Sequence, residues 1–249
     1  MYKKIICILV MMLLITSVLT TTSAMNFQTK RLENDNNYSQ SNQNTPANSP
    51  GLITIKIVGL VKEVEDPHNL LGGVIKVTDR VRGKYIYDSG KLDSEPDPQV
   101  GEYHYTSSTF GIEIKIGGLV FKTNPSNVDF SILILDDQFY INRYIDAYAV
   151  TSDNNLQLSN GMLVDMIALW LEDSTCTALS SDALPTTAPQ LSDWNDCTFI
   201  IYGNNPSDPS EFYDILILPE KFILNRTRAL SYLWFLERFP LLERLLNFI

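Results

Sequence analysis

The sequence predicts an all-β domain, an antiparallel sandwich of jelly-roll type, followed by a helical C-terminal tail. Three observations lead there. Apolar and polar residues alternate with period two in several short runs, turn-forming clusters separate those runs, and a 3.6-residue apolar stripe appears only near the end of the chain. Many short strands at such spacing pack as a sandwich or a barrel-like jelly roll.

The strands follow in order. Ile53, Ile55 and Ile57 alternate with Thr54 and Lys56, the pattern of a strand with one wet face. Residues 81–87 form a second candidate. Ile112, Ile114 and Ile116 alternate with Glu113 and Lys115, and Gly117-Gly118 then reads as a hairpin turn into 119–122. Val128, Phe130, Ile132 and Ile134 repeat the pattern until Asp136-Asp137 breaks it. Residues 144–151, 163–172, 199–202 and 212–218 complete the set. The stretch 162–171 is long enough for a helix, but its turn-rich flanks favour a strand. Loops are marked by Asn124-Pro125-Ser126, by 152–155 and by 203–209.

The two ends differ from this pattern. Lys3 and Lys4 precede an apolar run over 5–19, and Thr22-Ser23-Ala24 places small residues behind it, the layout of a secretory signal peptide cut after Ala24. The alternative is an uncleaved membrane anchor, but the run is short of the about 20 residues that a span needs. Residues 25–50 are rich in Asn, Gln, Ser, Thr and Pro, too polar to bury a core, and read as a disordered tether. The folded domain then covers 51–225. In the tail, 226–249, Leu242, Leu245, Leu246 and Ile249 share one helical face, and Pro240 interrupts the segment. That tail caps the sandwich or makes a peripheral membrane or sorting contact.

Charge and cysteine content narrow the functional classes. The net charge is −10, and removal of the leader with its two lysines makes it more negative. No Lys/Arg cluster stands out along the chain, so nucleic acid is not expected as a partner. Cys176 and Cys197 remain after processing, and export makes a disulfide between them the expectation. Buried thiols that never meet are the alternative.

Catalytic motifs do not stand out. The histidines His68 and His104 fall on different predicted loops. The densest polar feature is the loop 88–105, where Asp88, Asp93, Glu95 and Asp97 lie among prolines and serines. Carboxylates on a braced loop suit Ca²⁺, which takes six to eight oxygen ligands. A solvated acidic loop, or a glycosidase carboxylate pair, are the other readings. Tyr85, Tyr87, Tyr103 and Tyr105 flank this loop, and with Trp194 they are candidates to stack on sugar rings. Core packing is the alternative for each ring.

Several segments resemble a known group. Tyr85-Ile86-Tyr87-Asp88-Ser89, then Asp93-Ser94-Glu95-Pro96-Asp97-Pro98, Gly101-Glu102-Tyr103, Gly117-Gly118, the run 178–185 and Pro189-Gln190-Leu191-Ser192 together resemble uncharacterised exported bacterial proteins that often carry a PEP-CTERM sorting tail. The resemblance spans about residues 52–202 and implies export, without implying an activity. The chain departs from that group at its end, where Phe239-Pro240-Leu241-Leu242-Glu243-Arg244 stands in place of a Pro-Glu-Pro motif, an apolar span and a basic cluster.

The expectation is therefore an exported, non-enzymatic module, secreted or attached at the cell surface. It would contact a glycan or an envelope or matrix component, with carbohydrate binding aided by Ca²⁺ as the concrete form. A carboxylate-based glycan hydrolase and a purely structural envelope component are the alternatives.

Overall fold

The computed structural model describes residues 51–225. The expected leader, tether and helical tail lie outside the described residues. Ten strands follow one another: β1 (Leu52–Glu65), β2 (Arg80–Asp88), β3 (Val100–Tyr105), β4 (Gly111–Ile116), β5 (Leu119–Lys122), β6 (Phe130–Tyr140), β7 (Arg143–Ser152), β8 (Met166–Asp173), β9 (Asp196–Asn205) and β10 (Asp208–Leu224). All pairings are antiparallel, in the order β3-β6-β7-β8-β9-β10-β1-β2-β4-β5. The all-β antiparallel expectation holds. In place of two separate sheets, the strands form one continuous sheet that curls over its own inner face.

The curl brings together strands that are distant in the order. Tyr148 on β7 and Tyr85 on β2 meet in the core with hydroxyls 3.2 Å apart, although four strands lie between β7 and β2. The loop after β5 joins the loop after β7. Thr123 bridges Asn155, its Oγ1 lies 2.8 Å from Ser152 Oγ, and Leu156 N donates to Lys122 O at 2.8 Å. Alternation supplies the inner face. Ile55 and Ile57, Tyr85 and Tyr87, Ile112 and Ile114, Ile132 and Ile134, Ile167 and Leu169, Phe199 and Ile201, and Tyr213 and Ile215 all point inward and are almost fully buried.

Three local expectations change. The loop read over 88–105 ends in a strand, β3, whose short Gly-Glu-Tyr-His-Tyr sequence carries its alternation on tyrosines rather than aliphatics. Asp136-Asp137 does not end its strand. β6 continues to Tyr140 through a bulge between Leu135 and Gln138, with Asp137 at φ 53°. The ambiguous segment around 162–171 is strand from Met166 onward. The Gly117-Gly118 turn appears as expected, with φ of 55° and 88°, the positive pair that a tight hairpin requires.

Buried tyrosines then fix the loops. Each phenol that the alternation drives inward carries a hydroxyl that needs a partner. Tyr87 donates to Pro185 O (2.6 Å), Tyr103 to Asp182 O (3.0 Å), Tyr105 to Asp88 O (2.9 Å) and Tyr213 to Leu163 O (2.7 Å). Two of these clasps pass over a glycine. A methyl group on Gly101 would lie 2.2 Å from Asp182 O and 2.8 Å from the Tyr103 ring, and one on Gly203 would lie 2.1 Å from Leu163 O and 2.3 Å from the Tyr213 hydroxyl.

These clasps are testable. Tyr87→Phe and Tyr103→Phe each leave a loop carbonyl without its donor and are expected to cost about 1–2 kcal/mol in denaturant unfolding. Hydrogen exchange should quicken in residues 178–190 while the β1–β10 pairing stays protected. Equal loss of protection throughout the sheet would contradict the clasp role.

Candidate functional site

The tyrosines proposed as a sugar platform are not available for one. Tyr85 and Tyr87 are 0% exposed, Tyr105 is 2% and Tyr103 is 4%. The reason is the strand period: on β2 and β3 these residues occupy inward positions, and Tyr85 stacks against Tyr87 with ring centroids 5.9 Å apart. Burial pushes the Tyr103 hydroxyl up to about 12 and raises the other three as well. Trp194 is half-buried against the core, next to the short 3₁₀ turn Leu191–Asp193. The core-packing alternative is the one that the structure contains.

The acidic loop is likewise organised for itself. Asp88 Oδ1 accepts from Gly90 N (2.9 Å), Asp93 Oδ1 from Glu95 N (2.9 Å) and Glu102 N (2.8 Å), and Asp97 Oδ1 from Gln99 N (3.0 Å). Each carboxylate turns its own stretch of backbone. Asp88, Asp93, Glu95 and Asp97 do not converge as the expected Ca²⁺ ligand set. Among the described residues, the grouping with metal-like spacing is elsewhere: Asp137, Asp146 and Cys176 have ligand atoms within 4.8 Å of one another.

That grouping is a structural junction. Asp146 on β7 and Asp173 on β8 are register partners, and both are almost fully buried. Like charges directly opposite each other are unfavourable, and backbone donors offset the repulsion. Asp146 accepts from Asp137 N (2.9 Å) and Leu179 N (2.8 Å). Asp173 accepts from the backbone N–H and hydroxyl of both Thr175 and Thr177. Burial alone would raise the Asp173 carboxyl, but these donors outweigh it and hold it at about 2. Sequence reasoning missed this pair because only the register sets Asp146 against Asp173.

Cys176 and Cys197 are free, so the expected disulfide is not formed. Cys176 sits at φ 56° on the turn that Asp173 organises, beside Asp137 and Asp146. Cys197 lies on β9 and packs against the core. Burial first, and then nearby carboxylates, push the thiols up to about 11 and about 12, which keeps them protonated and unreactive at neutral pH. The histidines each face a glutamate: His104 Nε2 lies 3.0 Å from Glu102 Oε1 on β3, a strand rather than the expected loop, and His68 Nδ1 lies 3.6 Å from Glu211 Oε1.

The outer face of the sheet gathers charge that the sequence disperses. Basic residues scattered along the chain meet on β10, β1, β2, β4 and β5. One cross-strand row runs Lys56, Lys84, Glu113, Lys122, and the next runs Lys221, Val58, Arg82, Lys115, Val120. Arg80 lies at the end of β2. Seven of the chain's 19 Lys and Arg residues therefore share one face of an acidic protein. Lys56 directly opposes Lys84, and Arg82 directly opposes Lys115. Glu113 answers Lys115 (3.1 Å) and Lys122 (3.3 Å), and Glu220 answers Arg80 (2.6 Å). Lys56, Arg82, Lys84 and Lys221 have no ion-pair partner among the described residues. The missed signal was period two: Arg80, Arg82 and Lys84 alternate with Val81, Gly83 and Tyr85.

A carboxylate group borders this face. Asp214 on β10 is the register partner of Glu65, and burial first, then Glu65 and Glu63, raise its carboxyl to about 6. Elsewhere, the tip of the β6–β7 hairpin exposes Phe139, Ile141 and Tyr144, with Phe139 and Tyr144 in edge contact at 5.2 Å. Compared with known protein families, curated proteins and solved structures, the chain matches none.

Two carboxylates give opposite pH signatures. Asp173 titrates lower folded than unfolded, so its stabilisation is present above about pH 4 and is lost as pH falls toward 2. Asp173→Ala should cost about 3 kcal/mol at pH 7, and the gap to wild type should narrow below pH 4. Asp214 titrates higher folded than unfolded, so the folded state binds the extra proton and stability falls as pH rises from about 4 to about 6. Asp214→Asn should stabilise by about 1 kcal/mol at pH 7.5, after discounting for its exposed side, with no gain at pH 3.5. Urea melts of the three proteins across this range check both signs.

Proposed function

We propose that this chain is an exported, non-catalytic interaction module that acts at the cell surface or in the extracellular matrix. The observation that carries the reading is the division of its polar chemistry. Loop carboxylates and tyrosine hydroxyls are taken up in holding loops to the sheet, whereas the outer sheet face presents exposed, largely unpaired charge on rigid strands. A charged sheet face serves recognition, because the strands fix the spacing from which its side chains reach a partner. Export rests on the basic, apolar and small-residue sequence of the first 24 residues. The contact surface moves from the Tyr-flanked acidic loop to the sheet itself.

The test uses the processed chain, residues 25–249, mixed with the cells that produce it and with their separated envelope and matrix fractions. The expected result is co-sedimentation with one of these fractions, with the size distribution of its glycans unchanged. A chain that stays in the supernatant overturns the reading. Shortened glycans overturn it too, in favour of a hydrolase.

A further inference from the structure

We propose that the outer face of β10, β1, β2, β4 and β5 binds an anionic polysaccharide, a flexible chain with carboxylate, sulfate or phosphate groups along its length. The proposal rests on the interaction-module reading and names its partner.

Charge complementarity is the first argument. Lys56 against Lys84 and Arg82 against Lys115 are like-charge cross-strand pairs, which destabilise a free sheet. Anions laid along the two rows would relieve that repulsion. Adjacent strands are about 4.8 Å apart, so each row offers a path of about 14 Å across four strands.

The second argument is shape. At the end of the first row, Lys84 and Lys122 border a cavity of about 140 Å³ together with Ser108, Thr109 and Phe110. Glu113, paired with Lys122 at 3.3 Å, also lines it, so Lys84 is the unpaired cation there; hydroxyl groups, an aromatic ring and a carboxylate acceptor beside it suit the hydroxyls and charge of a sugar acid better than a bare phosphate. Exposed Ile223 and Val120 end the two rows, beside Lys56 and Lys115, and Val58 lies between Lys221 and Arg82, so apolar contact is offered to ring C–H groups.

The surroundings select a flexible chain. Glu63, Glu65 and Asp214 flank the face, and the protein as a whole carries −10. A stiff duplex or a flat bilayer extends over these carboxylates as well as the lysines. Screening confines attraction to about 8 Å at physiological salt, so a thin polymer that follows the rows gains the attraction and avoids the flanks.

The test places the processed chain on immobilised polygalacturonate, with neutral dextran, duplex DNA and phosphatidylserine vesicles as parallel surfaces. Saturable binding to polygalacturonate, weakening with salt and absent on dextran, is expected. Lys84→Gln with Lys115→Gln, and separately Lys56→Gln with Lys122→Gln, should each weaken it about tenfold. The first double relieves both like-charge pairs and the second relieves one, while each gives up one exposed ion pair to Glu113, so their melting midpoints should stay close to wild type. Lys76→Gln with Lys91→Gln makes the same charge change on loops and should leave binding intact. An equal loss in that control, binding only to DNA or only to vesicles, or binding to none of the surfaces overturns the proposal. If polygalacturonate fails while the chain still co-sediments with its own cells, the polysaccharide is wrong and the module reading stands. If both fail, both are removed.

Discussion

A phenol driven into an apolar core carries a hydroxyl that must find a partner, and much of this structure follows from that constraint. Period-two alternation places Tyr85, Tyr87, Tyr103, Tyr105, Tyr148 and Tyr213 on the inner face of one curled sheet. Tyr148 settles its hydroxyl on Tyr85, joining strands that are distant in the sheet order. Four others reach the main chain of a loop or strand end, at Pro185, Asp182, Asp88 and Leu163. A buried hydroxyl left without a partner costs more than the bond itself contributes. The core thus anchors loops whose local course is set by their own carboxylate–backbone bonds. The same chemistry that excludes these rings from a sugar-binding role gives the sheet its defined shape.

Charge is sorted in space although the sequence mixes it. At one end, Asp146 and Asp173 are buried side by side and made tolerable by backbone N–H groups, which set the course of the segment after β8. On the outer face of β10, β1, β2, β4 and β5, lysines and arginines stand opposite one another, and Glu113 and Glu220 pair with three of them. The first arrangement is satisfied internally. The second is left open to solvent, and that contrast separates structural charge from charge available to a partner.

Strand content was legible because aliphatic alternation is explicit, as in Ile53-Thr54-Ile55-Lys56-Ile57 or Ile112-Glu113-Ile114-Lys115-Ile116. β3 was hidden because its inward positions are glycine and tyrosine, residues that also mark turns and binding loops. The bulge in β6 was read as a strand end, since Asp136-Asp137 breaks the pattern whether the chain stops or only kinks. The candidate ligand residues failed for a related reason. Composition identifies aromatic and acidic groups around 88–105, but facing in or out depends on strand parity, which β3 does not reveal without aliphatic alternation. The basic face was legible on β2 alone, where Arg80, Arg82 and Lys84 alternate; their meeting with Lys56, Lys115, Lys122 and Lys221 required register between strands far apart in sequence.

The clasps have a consequence for how such a chain diverges. Each tyrosine holds a loop through a backbone carbonyl, which every residue type possesses. The exposed side chains of 178–190 are thus uncoupled from the clasps and free to drift, whereas Leu184 and Ala188, buried in the core, and Leu179, packed against it, are not. The opposite holds beneath the clasps. Gly101 with Tyr103, and Gly203 with Tyr213, are steric pairs in which either partner's change alone leaves a collision or a void. Among descendants of this sequence, loop side chains should vary one at a time, whereas each Gly–Tyr pair is inherited or lost together.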